Sequence, residues 1–252
     1  MARPATALAT SPRRLWLVSG LIALALIAGG AYGLWYVFLR PSGPAAVTDT
    51  SLSIPSSAAG SSAPLTGGAS GTWKVDTSIG TFSDFTDSWV GYRVQEQLAS
   101  IGGNTAVGRT PDVSGSLTVD GTKVTAVEIQ ADLTSLKSDD DRRDGQLARQ
   151  GIQTGSFPTA SFKLTSPIDL GSVPADGQVV SVTAAGDLTL HGQTKSVQLP
   201  LKATLSGNTI AVSGSVDIAF ADYGIEKPNS FMVLSIADTG TIELHLLFTK
   251  GA

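Results

Sequence analysis

Apolar and polar residues alternate with a period of two through most of the chain after residue 120. In Lys123–Leu136, Val127, Ile129, Ala131 and Leu133 fall on one face, and Glu128, Gln130 and Asp132 on the other. Such alternation predicts extended strands with one dry face and one wet face. The pattern recurs in Val180, Val182, Ala184, Leu188 and Leu190, then in Val197, Leu199, Leu201, Ala203 and Leu205. It returns in Ile210, Val212, Val216, Ile218 and Phe220, and closes with Ile242, Leu244, Leu246 and Phe248 opposite Glu243 and His245. Trp73–Thr77, Trp89–Leu98 and Val113–Val119 fit it more loosely. Turn residues separate the runs: Asp120-Gly121, Asp176-Gly177, Gly192, Gly207-Asn208 and Gly224. Asp120-Gly121 is a strong hairpin signal because both residues tolerate positive φ. One segment, Asp139–Ile152, breaks the rhythm; its aspartates suit a helix N-terminus and predict a short helix or structured loop. About eight or nine antiparallel strands must either pack on a second sheet or close on themselves to remove their edges.

A different pattern occupies the N-terminus. Residues 15–39 contain no charge, and as a helix they would span about 37 Å, enough to cross a hydrocarbon core of about 30 Å with some tilt. Arg3, Arg13 and Arg14 precede this stretch and only Arg40 follows closely, which predicts a cytoplasmic tail at 1–14 and an extracytoplasmic remainder. Trp35, Tyr36 and Phe38 beside Arg40 read as an interfacial belt. A cleaved signal peptide is the alternative, with Leu15–Ala28 as its apolar core and small residues at Ala28–Ala31. Residues 40–70, rich in Pro, Ser, Ala and Gly, lack apolar periodicity and predict a flexible linker with a reach of about 30 Å. Residues 71–252 then form one domain with a substantial core.

Charge and composition narrow the chemistry. Residues 71–252 carry 8 Lys and 5 Arg against 20 Asp and Glu, a formal charge of 13 − 20 = −7 that disfavours nucleic acid as a partner. The chain has no cysteine, which removes disulfides, thiolate metal ligands and cysteine nucleophiles. Only His191 and His245 could act as neutral bases near pH 7. His245 lies on the polar parity of its strand and is expected to face solvent; His191 sits beside a turn glycine and is expected to satisfy turn groups or touch a cavity rim. Asp139, Asp140, Asp141 and Asp144 lack the alternating spacing of a calcium loop. No Gly-x-Ser-x-Gly elbow or phosphate loop occurs, so catalysis, a metal and a catalytic cofactor are not expected.

Four stretches together carry a family resemblance: Trp73–Phe85 (WKVDTSIGTFSDF), Asp139–Ser166 with its Phe-Pro-x-x-x-Phe step, Gly186–Gly207 with its His-Gly-x-Thr turn, and Ala221–Ile225 (ADYGI). On these the chain resembles the YceI-like family, polyisoprenoid-binding proteins with a lipocalin-like barrel. Phe85–Gly115 departs from the family pattern. The resemblance implies an all-β, closed antiparallel barrel of about eight strands with one short helical insertion. It also implies an interior that binds a polyisoprenoid, an isoprenoid quinone or a fatty-acid-like lipid, and it admits a homodimer.

Inward parity then nominates Val127, Ile129, Leu133, Phe162, Leu164, Val182, Leu188, Leu199, Leu201, Val212, Ile218, Phe220, Leu244 and Leu246 as cavity lining. Trp89 and Tyr92 are expected nearer the opening, and His191 at the rim. A membrane-tethered lipid binder is the leading expectation. A filled barrel serving as a structural or protein-interaction module is the alternative.

Overall fold

The computed structural model describes residues 23–32, 43–47, 52, 54–55, 68–99, 102–228 and 233–250. The chain divides into two units, Met1–Ser42 and Gly43–Ala252. In the first, residues 23–32 form helix α1, and Leu24, Leu26 and Ile27 are each about 70 % exposed. Among the described residues no helix is long and apolar enough to cross a membrane. The rest of the expected 15–39 span lies outside the described residues.

The second unit is built on a closed antiparallel circuit of eight strands: β1 (Gly71–Val75), β4 (Val113–Asp120), β5 (Lys123–Asp132), β7 (Thr159–Leu164), β9 (Val179–Leu190), β10 (Gln193–Ser206), β11 (Thr209–Ala219) and β13 (Thr239–Lys250), which returns to β1. Closure leaves this circuit without a free edge. The β9–β10 hairpin is its longest ladder, running from Leu190↔Gln193 to Val179↔Thr204. Its turn residues His191 and Gly192 have φ of 50° and 72°, the paired positive values that a two-residue turn needs to match the strand twist. Strand β13 divides its outer edge. Phe248–Lys250 pairs with β1, whereas Thr241–His245 pairs with β2 (Trp89–Leu98). Beyond β2 the sheet continues through β3 (Gly102–Thr110) to the short β6 (Lys137–Ser138). The two-residue β8 (Ile168–Asp169) extends β5, and β12 (Val233–Ile236) extends β2.

The expected break in the alternation is helix α2 (Asp141–Gln146), which continues as a π-helical turn over Leu147–Gly151. Asp140 caps it by accepting a hydrogen bond from the Arg142 N–H. Two apolar clusters pack inside the barrel. Trp73, Val113, Leu117, Val119, Leu246 and Phe248 pack at one end. Leu133, Ile152, Leu188, Leu190, Ile218 and Tyr223, all buried, close the other.

The alternation predicts a wet outer face for β13, and here the structure differs. Glu243, His245 and Leu247 are buried, as are Ala211 and Ser213 on the neighbouring strand. Loop Asp76–Ser88 and part of the expected flexible linker cover this wall. Leu52 packs against Ala211, Leu247, Ile54 and Ile79. Arg93 and Arg109 donate to the Pro44 and Ala45 carbonyls, both at 2.8 Å, and the Val47 N–H donates to Glu243 at 3.3 Å. Alternation specifies two faces but cannot say which outer faces another segment will cover.

Candidate functional site

Inside the barrel lies a cavity of about 180 Å³ whose lining includes no charged residue. The inward positions of β5, β9, β10, β11 and β13 supply most of its wall. Val127, Ile129, Phe162, Val182, Leu188, Leu199, Leu201, Val212, Leu244 and Leu246 are placed on it as their parity predicts. The lining runs on to Val119 and Val124 beside the β4–β5 turn, and to Ile168, Leu170, Pro174 and Gln178 around the β8–β9 loop. Gln178 is solvent-exposed, so the cavity reaches the surface at this rim. Ala69, at the end of the expected linker, also lines it; its carbonyl accepts from the Trp73 indole at 2.9 Å.

The remaining expected lining residues stand elsewhere. Leu133 and Ile218 belong to the cluster closing the far end, with Phe220 packed against it in the 3-10 turn Phe220–Tyr223. Leu164 is half-buried on β7, off the cavity wall. His191 lies on the β9–β10 turn, where its Nδ1–H donates to the Tyr223 carbonyl at 3.0 Å and its ring meets Phe157 at 4.2 Å.

Trp89 and Tyr92 are corrected by strand parity. Trp89 pairs with His245, and both face the outer wall; Tyr92 pairs with Ile242 and faces inward. Neither stands at the opening. The Tyr92 ring lies over Gly108, where an added Cβ would meet Cε1 at 2.4 Å. Burial, partly offset by the nearby Arg143, holds its phenol above the usual tyrosine range. The rim residues escape the parity reading because they belong to turns, where alternation lapses. Their one sequence signal is the presence of Leu170, Val173 and Pro174 in an otherwise polar loop.

The polar chemistry lies on the outer wall. Glu243 is bound by Arg93 at 3.1 Å and by Arg109 at 3.6 Å. Arg109 stacks between aromatic rings, its guanidinium carbon 3.7 Å from the Trp89 centroid and 4.3 Å from that of Phe85. Burial pulls Arg109 down to about 10 despite Glu243, which leaves it fully charged at neutral pH. His245, expected in solvent, is 2 % exposed and donates through Nδ1–H to the Asp87 carbonyl at 2.7 Å. Burial pushes the Asp87 carboxyl up to about 6, with Asp84 adding to the shift.

At the helix end, Arg143 bridges Glu96 at 2.8 Å and also pairs with Asp139. Burial alone would lower the Arg143 pKa, but the two carboxylates carry it above its ordinary value. Among the described residues no group of three or more His, Cys, Asp or Glu could hold a metal ion. The two histidines occupy different walls and each donates to a backbone carbonyl. The arrangement in the barrel is suited to taking up apolar matter.

Comparison with known proteins agrees with this architecture. A UPF0312 protein of Vibrio parahaemolyticus is 28 % identical over 160 residues, covering 60 % of this chain and 77 % of its own length. One from Pseudomonas paraeruginosa is 29 % identical over 143 residues, covering 53 % and 70 %. Among solved structures, a polyisoprenoid-binding domain from Saccharophagus degradans, implicated in plant cell wall breakdown, matches with a TM-score of 0.55 at 19 % identity. It covers 71 % of this chain and 98 % of that domain, and shows the shared fold. The YceI-like domain model matches residues 73–248, from the buried Trp73 of β1 to the buried Phe248 of β13 and so the whole barrel circuit: the chain belongs to the YceI-like family.

Proposed function

We propose that the barrel binds the apolar chain of a polyisoprenoid, an isoprenoid quinone or a similar lipid, and acts by binding rather than catalysis. The observation that carries this reading is the cavity, lined without a charged residue and reaching the surface beside the β8–β9 loop. Each chain CH₂ moved there from water contributes about 0.8 kcal/mol, so affinity requires no charged partner. The relative from Saccharophagus degradans, a polyisoprenoid-binding domain by description, supports the same class of ligand. At about 180 Å³ the cavity is smaller than the roughly 300–1,000 Å³ of drug-sized ligand sites. It accommodates a segment of chain, and a longer one requires Phe162 and its leucine neighbours to change rotamer.

Residues 15–39 anchor this domain in the cell membrane as a single pass, with the N-terminus cytoplasmic and the barrel extracytoplasmic. The charge-free run and the arginines before it support that placement, as does the exposure of apolar side chains along α1. Native mass spectrometry of the full chain, released from membranes of the producing cell in mild detergent, tests the binding. A lipid adduct that survives gentle activation is expected. A bare protein mass that takes up nothing from an added lipid extract overturns the reading and favours the filled-barrel module, to which the small cavity volume also points. Protease added to intact spheroplasts tests the topology: barrel degradation with protection of the N-terminal tail is expected, and a protected barrel refutes it.

A further inference from the structure

The loop between β8 and β9 lies at the open rim of the barrel and is apolar on both sides. Leu170 and Pro174 line the cavity, whereas Val173 and Val179 are each 53 % exposed. One exposed valine is ordinary on a protein surface. Here two of them border the residues that line the opening, so apolar surface continues from the outside of the rim into the cavity.

This strap is fastened at both ends and free between them. The Leu170 N–H donates to the Thr122 carbonyl at 2.9 Å, in the β4–β5 turn, and the Gly177 N–H to the Leu205 carbonyl at 2.7 Å, near the end of β10. Asp176, the one charged residue of the strap, accepts from the Gly207 N–H at 2.8 Å. Between these fastenings, Ser172, Val173 and Pro174 make no hydrogen bond to another described residue. Gly171 and Gly177, with φ of 71° and 74°, take the left-handed turns on either side.

We infer that the strap Leu170–Val179 is a contact with a lipid bilayer, seated shallowly among the headgroups, by which an apolar chain passes between membrane and cavity. The passage rests on the lipid-binding reading above; the contact does not. A protein seated on this rim would close the opening, whereas a bilayer supplies what enters it. A chain leaving the bilayer here moves from acyl core to valine to cavity wall without exposing its CH₂ groups to water, which lowers the cost of transfer. The unpaired backbone groups of Ser172, Val173 and Pro174 set the depth. They would be costly in hydrocarbon but stay hydrated among headgroups, so only the valine side chains reach the acyl boundary. With no cation on the strap, the attraction is apolar and requires neither an anionic lipid nor low salt.

The chain has no cysteine, so Val173→Cys gives a unique thiol for the environment-sensitive fluorophore NBD. Full-length V173C is reconstituted into phosphatidylcholine vesicles, with Lys195→Cys as the reference, an exposed site near the β9–β10 turn at the opposite end of the ladder from Val179. The label at 173 should emit at shorter wavelength than that at 195 and be quenched by lipids spin-labelled at the headgroup or upper acyl chain, at low and high salt alike. Equal exposure of the two labels to water overturns the contact. Quenching confined to anionic vesicles and lost in high salt overturns its apolar basis. A label at 173 that is covered only when membrane protein is added assigns the patch to a protein and overturns the inference. When the delipidated full chain is reconstituted into vesicles carrying ubiquinone, Val173→Asp with Val179→Asp should slow formation of the lipid adduct by about tenfold or more. The same variant supplied with ubiquinone in detergent should form the wild-type adduct. Uptake from vesicles at the wild-type rate overturns the passage, and loss of the adduct in detergent from the variant alone overturns the assignment of these valines to an outer contact. An adduct absent from wild type and variant alike overturns lipid binding and the passage with it, while the quenching measurement still decides the contact.

Discussion

Replacing Glu243 with glutamine preserves the shape of the outer wall and removes the negative charge between its two arginines. Arg93 and Arg109 then face each other across a neutral amide, with side-chain exposures of 18 % and 4 %. Removing one partner of a buried pair costs roughly 3–5 kcal/mol because the remaining charge is left uncompensated. Arg93 retains some water, and both arginines keep their carbonyl partners on the covering segment, which places the expected loss near the lower end, about 3 kcal/mol. For a domain of this size that corresponds to a fall in Tm of roughly 6–12 °C. Urea unfolding of the full chain in detergent, followed by tryptophan fluorescence, measures it, and Trp89 reports locally because Arg109 stacks on its ring. Removing the more deeply buried arginine together with the carboxylate, as Arg109→Met and Glu243→Leu, should cost less than E243Q alone, since only the partly hydrated Arg93 is then left without its partner. A loss below about 1 kcal/mol in E243Q, or a double variant clearly worse than it, refutes the assignment of these groups as one coupled cluster.

Other consequences concern pH, packing and the cavity. Asp87 holds its proton to about pH 6 when folded but to about 3.8 when unfolded, so its ionisation opposes folding and stability falls as pH rises between those values. Asp87→Asn should therefore gain on the order of 2 kcal/mol over the wild type at pH 7 and almost nothing at pH 3.5; a difference independent of pH in urea titrations would contradict the assignment. Gly186→Ala places a Cβ 2.3 Å from Phe162 Cζ and 2.6 Å from the Lys163 carbonyl, and should cost roughly 1–3 kcal/mol of unfolding free energy. A neutral result would mean that Phe162 swings away freely. Val182→Trp fills the cavity from β9 and should abolish the lipid adduct in native mass spectra while the barrel's circular dichroism is retained. Unchanged uptake by that variant would place the lipid outside the cavity.

Much of the barrel is legible in the chain because alternation, strand closure and turn chemistry are local or nearly so. Val127 and Ile129, Leu199 and Leu201, Leu244 and Leu246 announce an inward face through parity alone, and the structure seats them on one wall. Asp120-Gly121 and Gly192 mark hairpins because turn needs are set within two residues, although the first turn falls at Gly121-Thr122, with Asp120 still paired to Lys123 and only Gly121 at positive φ. The acidic start of α2 is likewise local, with Asp140 capping Arg142. Parity also has a defined failure. It assigned His245 to solvent, because it counts faces and not what lies over them.

What the chain determined by itself is therefore the strands, their dry faces, the turns, the charge-free run at 15–39 and the family likeness. Each depends on residues close together in sequence, or on a pattern that repeats along it. Only the tertiary structure decided that Glu243 meets Arg93 and Arg109, that β13 shares its edge between β1 and β2, and that Leu52 seats on Ala211 and Leu247. It also decided which inward residues border space and which plug the far end, separating Leu199 on the cavity from Ile218 off it. The physical reason is common to all of these. Local backbone preference fixes which way a side chain faces, whereas a buried ion pair, a covered wall or an unfilled volume exists only once distant segments compete for the same place.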